Sequence, residues 1–185
     1  MKFDHFLDIN CEYLDPNLID CDFFKEDSSQ QLSIFQNNIR SLNKNFHLVE
    51  ELFVNCGELP DILAFSETKL NENTTTPSLQ GYSFIHADSS SACGGVGVFI
   101  RENIEYSVRN DLNLNTQGCE DIWFEIKVRA ESPDASRDRY EKVVIGTIYR
   151  HPSAQYQLFT ENLCTSIEIL NRTKTKYIYY LETLT

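Results

Sequence analysis

Three apolar runs in this chain each end in residues that could do chemistry. "LSIFQN" runs out at Asn38, "DILAFS" at Glu67, and "VVIGTI" at Tyr149, Arg150 and His151. In open α/β sheets, sites collect just beyond the carboxyl ends of the strands, so side chains at those ends share one neighbourhood. A lone carboxylate there is a hard-cation ligand. Mg²⁺ commonly takes one or two protein carboxylates and completes its octahedron with water and substrate phosphate. Asparagine can hydrogen-bond a phosphate or orient a second ligand, and arginine can grip phosphate oxygens in a bidentate manner. Taken singly, each of these residues is explained more simply by strands ending in polar residues. Together they point to phosphate and metal chemistry.

The elements that must position them follow from hydrophobic patterning. "LSIFQ" (residues 32–36) has strand character. "NKNFHLVEELFVNCG" puts Phe46, Val49, Phe53 and Cys56 on one helical face, with Gly57 at a plausible position just past the helix end. "PDILAF" is continuously apolar, as expected of a strand buried on both faces. "GYSFIHA", "GGVGVFIR", "IEYSVRN" and "DIWFEIKV" are further strand candidates, and "SPDASRDRYE" reads as a polar hairpin loop. "KVVIGTIY" is another buried strand, followed by Phe159, Leu163, Ile167 and Leu170 at helical spacing and then by "KYIYYL". The order predicts an α/β layer protein with a mixed sheet, its first and last units being βαβ crossovers. Trp123 is expected in the core, Asp61 at a strand start, His86 on the surface or in the core, and Gly94, Gly95 and Gly97 where the backbone packs closely.

Composition narrows the class. The 185 residues are 41% hydrophobic and 24% charged, which is ordinary for a globular protein. No run approaches the roughly 20 apolar residues that cross a membrane. Residues 1–29 are acidic and polar and read as a leader outside the main core, with residues 30–185 as the domain. Without an apolar core to that leader, no secretory signal is expected. Cys11, Cys21, Cys56, Cys93, Cys119 and Cys164 lie far apart, without a CxxC pair, and read as reduced thiols of an intracellular protein, nuclear or cytoplasmic. The net charge of −12 argues against a non-specific nucleic-acid coat, which needs Lys and Arg to displace counterions. It leaves room for an enzyme that touches nucleic acid through a bound cation.

Four ordered words carry a resemblance: "NNIRSL", "PDILAFSETKL", "GYSFIHADSSSACGGVGVFIR" and "VVIGTIYRHPS". Together they resemble the endonuclease/exonuclease/phosphatase superfamily, and most closely the apurinic-type endonuclease domain of non-LTR retrotransposons. The resemblance spans residues 32–181. It implies a four-layer, DNase I-like α/β sandwich and Mg²⁺-dependent (or Mn²⁺-dependent) phosphodiester hydrolysis that nicks DNA to prime reverse transcription. A full-length element would carry a reverse transcriptase. By resemblance, Glu67 is the metal-binding glutamate, Asn38 lies beside the scissile phosphate, Tyr149 is the active-site tyrosine and Arg150 contacts phosphate. The same segment brings Ser91 or Cys93 to the site's rim. His151 is not the family's catalytic histidine.

The pattern breaks at the last strand. In the family, the strand aligned with "KYIYYL" leads into G-D-F-N; here it leads into Glu182, Thr183, Leu184 and Thr185. Threonine stands at both the Asp and the Asn positions, and the family's final Asp–His pair has no counterpart. The resemblance therefore implies that residues 30–185 are the N-terminal two-thirds of such a domain, inactive by itself, with the C-terminal portion and part of the second sheet missing and one face of the core sheet uncovered. Two alternatives are a phosphoesterase of another branch and a non-catalytic interaction module.

Overall fold

A computed structural model describes residues 32–54, 59–89, 93–130, 139–173, 175 and 177–184. The acidic leader, Cys56, Gly57, Ser91 and most of the 131–140 hairpin loop lie outside the described residues. The elements run β1 (Ile34–Asn38), α1 (Leu42–Val54), β2 (Ile62–Ser66), β3 (Tyr82–Ala87), β4 (Val96–Arg101), β5 (Tyr106–Val108), β6 (Cys119–Ala130), β7 (Arg139–Arg150), α2 (Tyr156–Arg172) and β8 (Tyr177–Leu184). A single 3₁₀ turn, Asn110–Leu112, follows β5. No described helix is long and apolar enough to cross a membrane.

The strands form two four-stranded sheets, ordered β1-β2-β4-β3 and β5-β6-β7-β8. β1 pairs with β2 and β7 with β8 in parallel, each pair joined through a helix, while the remaining pairs are antiparallel. These are the two crossovers expected from the sequence. Strand boundaries differ from the apolar runs in one useful way: β1 begins at Ile34 and ends on Asn38 itself, and Ser33 before it serves as a latch. Ser33 donates from its amide and hydroxyl to one Asp61 carboxylate oxygen (3.0 and 2.9 Å), and the Asp61 amide donates back to the Ser33 hydroxyl. That latch fixes the β1–β2 register at its start.

Period-2 alternation decides which side chains face which layer. Ile62, Ala64, Val96, Val98 and Ile100 of the first sheet pack against Ile122, Phe124, Ile126, Val143, Ile145 and Tyr149 of the second. The opposite face of the first sheet gives Leu63, Phe65 and Phe99 to α1, where Phe46, Val49 and Phe53 bury at helical spacing. Phe46 stacks on Phe99 at 5.1 Å and meets Phe65 edge-on at 6.0 Å, geometries that add to plain area burial. The opposite face of the second sheet gives Trp123, Val144 and Ile148 to Phe159, Leu163 and Leu170 of α2. The layers are thus helix, sheet, sheet, helix. The expectation of an uncovered core-sheet face is wrong: the two sheets cover each other, and β2, β4 and residues 143–149 of β7 are buried on both sides. The described part of the second sheet suffices because β6 and β7 are both twelve residues long.

Trp123 is wholly buried, as the alternation implies, and its ring lies across the backbone of Gly146. Its indole N–H donates to Asp121 at 2.8 Å, and the same carboxylate accepts from the Leu114 amide at 3.1 Å. Burial nonetheless dominates and raises the Asp121 pKa above its ordinary 3.8. The folded chain therefore holds this proton more tightly than the unfolded chain, so ionising Asp121 subtracts from stability as pH rises upward from 3.8. Thermal melts of wild type and Asp121→Asn are expected to diverge with pH. The wild type loses ground to the variant as pH rises above 3.8. The opposite trend would mean that the two hydrogen bonds outweigh burial.

Candidate functional site

The carboxyl ends of β1 and β2 lie side by side, with Asn38 in register with Ser66. One residue further, the Glu67 carboxylate accepts a hydrogen bond from the Asn38 side-chain amide at 2.9 Å. The Asn38 carbonyl oxygen accepts in turn from the Arg40 amide at 3.3 Å. Two residues 29 apart in sequence, each at the polar end of an apolar run, are therefore direct partners.

The backbone here is strained. Among the described residues, five non-glycine positions adopt positive φ, and four of them belong to the two loops that follow β1 and β2: Arg40 (52°), Ser41 (119°), Glu67 (52°) and Lys69 (55°). Each such position costs of order 1–3 kcal/mol, and such outliers concentrate where geometry serves function. Tight hydrogen bonding holds them. The Ser41 amide donates to the Glu67 carbonyl at 2.8 Å, and the Leu42 amide to the Thr68 carbonyl at 2.9 Å. Leu42 and Leu70 anchor the two loops in the core, with exposures of 0% and 1%. None of this is legible in "NIRSL" or "SETKL", since arginine, glutamate and lysine have no special liking for positive φ.

A third loop closes the arrangement from the other sheet's side. Gly94 and Gly95 stand at φ 116° and 82°, and their carbonyls accept from the Lys69 amide (2.9 Å) and the Thr68 amide (3.2 Å). A Cβ on Gly94 would sit 2.7 Å from a Glu120 carboxylate oxygen and 3.0 Å from the Tyr149 ring. Only glycine admits that approach, so the packing reading of these glycines holds, and it joins the Glu67 loop to Glu120 and Tyr149. Glu120 is in register with Tyr149 across β6 and β7, and both are buried, at 7% and 2% exposure. Sequence reasoning passed over Glu120. The only signal was an acidic residue at an inward-facing position of "CEDIWF".

Arg150 sits on the other face of β7 from Tyr149. Its guanidinium lies 5.5 Å from the Tyr156 ring centre and 5.6 Å from that of Phe159. His151 donates its backbone amide to the Gly118 carbonyl at 2.8 Å, and its Nδ1 is 2.7 Å from the Ser153 hydroxyl. Glu120, His151 and Ser153 border an open cleft of about 480 Å³ that also touches Gly118, Gln155 and Leu158. Of the other sequence candidates, Cys93 is exposed and directly precedes Gly94 in the third loop, its carbonyl accepting from the Ser89 hydroxyl, and His86 pairs with Asp88 at 3.0 Å while stacking on Phe84. The register of β8 sets Thr183 beside Tyr149 and Glu182 beside Ile148, so the strand continues through the residues after "KYIYYL".

The donor set suits one kind of ion. Among the described residues no three His, Cys, Asp or Glu side chains converge to enclose a metal. Glu67 offers a carboxylate with one oxygen fixed by Asn38. That fits a hard divalent cation held by one carboxylate and mostly by water, and does not fit a zinc site with three or four protein ligands.

No protein-family model matches the sequence, and comparison with curated proteins yields no match. Solved structures do match. The chain is similar to the endonuclease domain of TRAS1, a telomere-specific non-LTR retrotransposon, at 12% identity and a TM-score of 0.52, over 82% of this chain and 58% of that one. It is similar to the human Nocturnin catalytic domain with bound sulfate anion at 13% identity and a TM-score of 0.51, over 83% of this chain and 63% of that one. The chain thus spans less than two thirds of either. At these identities the likeness is one of fold, an α/β arrangement of two sheets.

Proposed function

We propose that this chain carries the cation-binding half of a phosphodiesterase site, and that its substrate class is DNA. The observation that carries the reading is the Asn38–Glu67 hydrogen bond at the carboxyl ends of two paired strands. The strained backbone around Glu67 supports it, and so do the ordered words shared with retrotransposon endonucleases. Glu67 would hold Mg²⁺ or Mn²⁺ through its carboxylate, with Asn38 fixing that carboxylate and hydrogen-bonding the scissile phosphate. Tyr149 would border the phosphate from the second sheet. Arg150 would serve the rim, reaching a phosphate only by leaving its aromatic stack. A bound divalent cation supplies charge neutralisation on the phosphate and on the leaving oxygen. The chain's own residues supply the orientation.

Where the family pattern carries G-D-F-N, residues 182–185 read E-T-L-T. The Thr183 and Thr185 hydroxyls do not orient an attacking water as that pattern's Asp and Asn would, and loss of such a group costs about 10²–10⁴ in rate. Supercoiled plasmid incubated with this chain and Mg²⁺ is therefore expected to stay supercoiled. Nicking that disappears in Glu67→Ala would sink that expectation while supporting the site. The site itself stands on Mn²⁺ binding: one bound ion, lost with the Glu67 carboxylate, supports it, and binding indifferent to Glu67 overturns it. A reverse-transcriptase partner and an acidic leader spanning residues 1–29 belong to the same proposal.

A further inference from the structure

We infer that Glu120 is a positioning residue, which sets the Glu67 carboxylate from the opposite sheet through the Gly94–Gly95 loop. The inference rests on Glu67 being the cation ligand, but its first link does not. A carboxylate on the inner face of β6, 7% exposed among the sheet-to-sheet contacts, carries a desolvation cost that an apolar residue would not. Its Oε2 accepts the Gly95 amide at 3.3 Å. Gly95 in turn accepts the Thr68 amide, and Gly94 the Lys69 amide. Those two amides follow Glu67 directly, and Lys69 shares its positive φ. The path from Glu120 to Glu67 is therefore continuous: carboxylate, glycine amide, glycine carbonyl, Thr68 amide, Glu67 backbone.

The two glycines show how closely this path is built. Any side chain at Gly94 would strike Glu120, and one at Gly95 would come within 2.5 Å of the Thr68 hydroxyl. The loop fits between the two sheets only as bare backbone. Gly94 and Gly95 bring no side chains of their own to this contact, and the Glu120 carboxylate provides the Gly95 amide with an acceptor. Partners that orient a metal ligand are commonly worth about 10–100-fold in metal affinity.

Three variants of the whole chain separate this role from plain structure. Glu120→Gln keeps an acceptor for the Gly95 amide, Glu120→Leu keeps the volume without one, and Glu67→Ala removes the ligand. Amide hydrogen exchange at Gly95, Thr68 and Lys69 is expected to accelerate about ten-fold in Glu120→Leu, as befits loss of a hydrogen bond to a charged acceptor. It should remain near wild type in Glu120→Gln. Mn²⁺ affinity, read by electron paramagnetic resonance, is expected to fall about ten-fold in Glu120→Leu and to be rescued in Glu120→Gln. Unchanged exchange at these amides in a folded Glu120→Leu overturns the inference, as does accelerated exchange with unchanged Mn²⁺ affinity. Should the wild type bind no Mn²⁺ while exchange still responds, the cation reading of Glu67 falls and the Glu120 strap stands as a loop anchor.

Discussion

Replacing Glu67 with alanine is expected to weaken Mn²⁺ binding by about 100-fold or more, roughly 2.8 kcal/mol at 1.4 kcal/mol per tenfold. The size follows from the donor set. Among the described residues no group of three or more His, Cys, Asp or Glu side chains could hold the ion in its place. Asn38→Ala removes the partner that fixes one Glu67 oxygen and leaves the ligand in place. It should cost only about ten-fold. A third variant checks that the position is strained for its side chain's sake. At φ 52°, Glu67→Gly is expected to be about 1 kcal/mol more stable than Glu67→Ala, although both lose the ion. Titration with Mn²⁺ and urea denaturation of the same samples give both numbers. Equal affinity in wild type and Glu67→Ala would remove the site, and equal stability of the glycine and alanine variants would remove the argument from strain.

Gly146→Ala is expected to destabilise the chain by about 3 kcal/mol, the upper end of overpacking costs. A Cβ at Gly146 would come within 2.5 Å of Cε3 and Cζ3 of the Trp123 ring. Neither partner can yield easily. Gly146 belongs to the middle of β7, and the indole is 0% exposed, pinned by its N–H bond to Asp121. Trp123→Leu in the same background should recover part of the loss, because it vacates the space the new methyl needs. Urea melts of both single variants and the double variant measure this coupling, which should reach about 1 kcal/mol or more if the two residues collide as described. Strict additivity would show that the strands separate to admit the methyl.

Most of the architecture is written in local pattern. Continuous apolar runs gave β2 and β7, alternation gave β6, and spacing of three to four residues gave both helices and their buried faces. The polar residues that end the apolar runs pointed to Asn38, Glu67 and Tyr149, and the first two do meet. Tertiary arrangement hid the rest. Arg150 follows Tyr149 directly, and the strand's period of two therefore sends it to the opposite face, onto Phe159 and Tyr156. Spacing counted along the words could not show that. Glu120 looked like one polar residue in an alternating strand, and only the pairing of β6 with β7 sets it beside Tyr149. The positive-φ cluster has no sequence signature, because those conformations are imposed by bonds between loops distant in the chain. The expectation of an uncovered sheet failed for a related reason: the twelve-residue β6 and β7 pack across the centre of the first sheet, which no local pattern shows.

Each sheet draws on one continuous stretch of chain. Every strand of the first lies between Ile34 and Arg101, and every strand of the second between Tyr106 and Leu184. No described strand crosses from one sheet to the other, so all the described pairing can be completed within each half before the halves meet. Non-local pairing slows folding, and here its longest loops are confined within each half. The bond from the Gly95 amide to Glu120 is of another kind, since it exists only once the two sheets have docked. In kinetic terms, the Glu120 strap is a late event: the bonds among the loops after β1 and β2 and Gly94–Gly95 can form within the first half, whereas the strap forms at the closing of the seam and is lost when the seam opens.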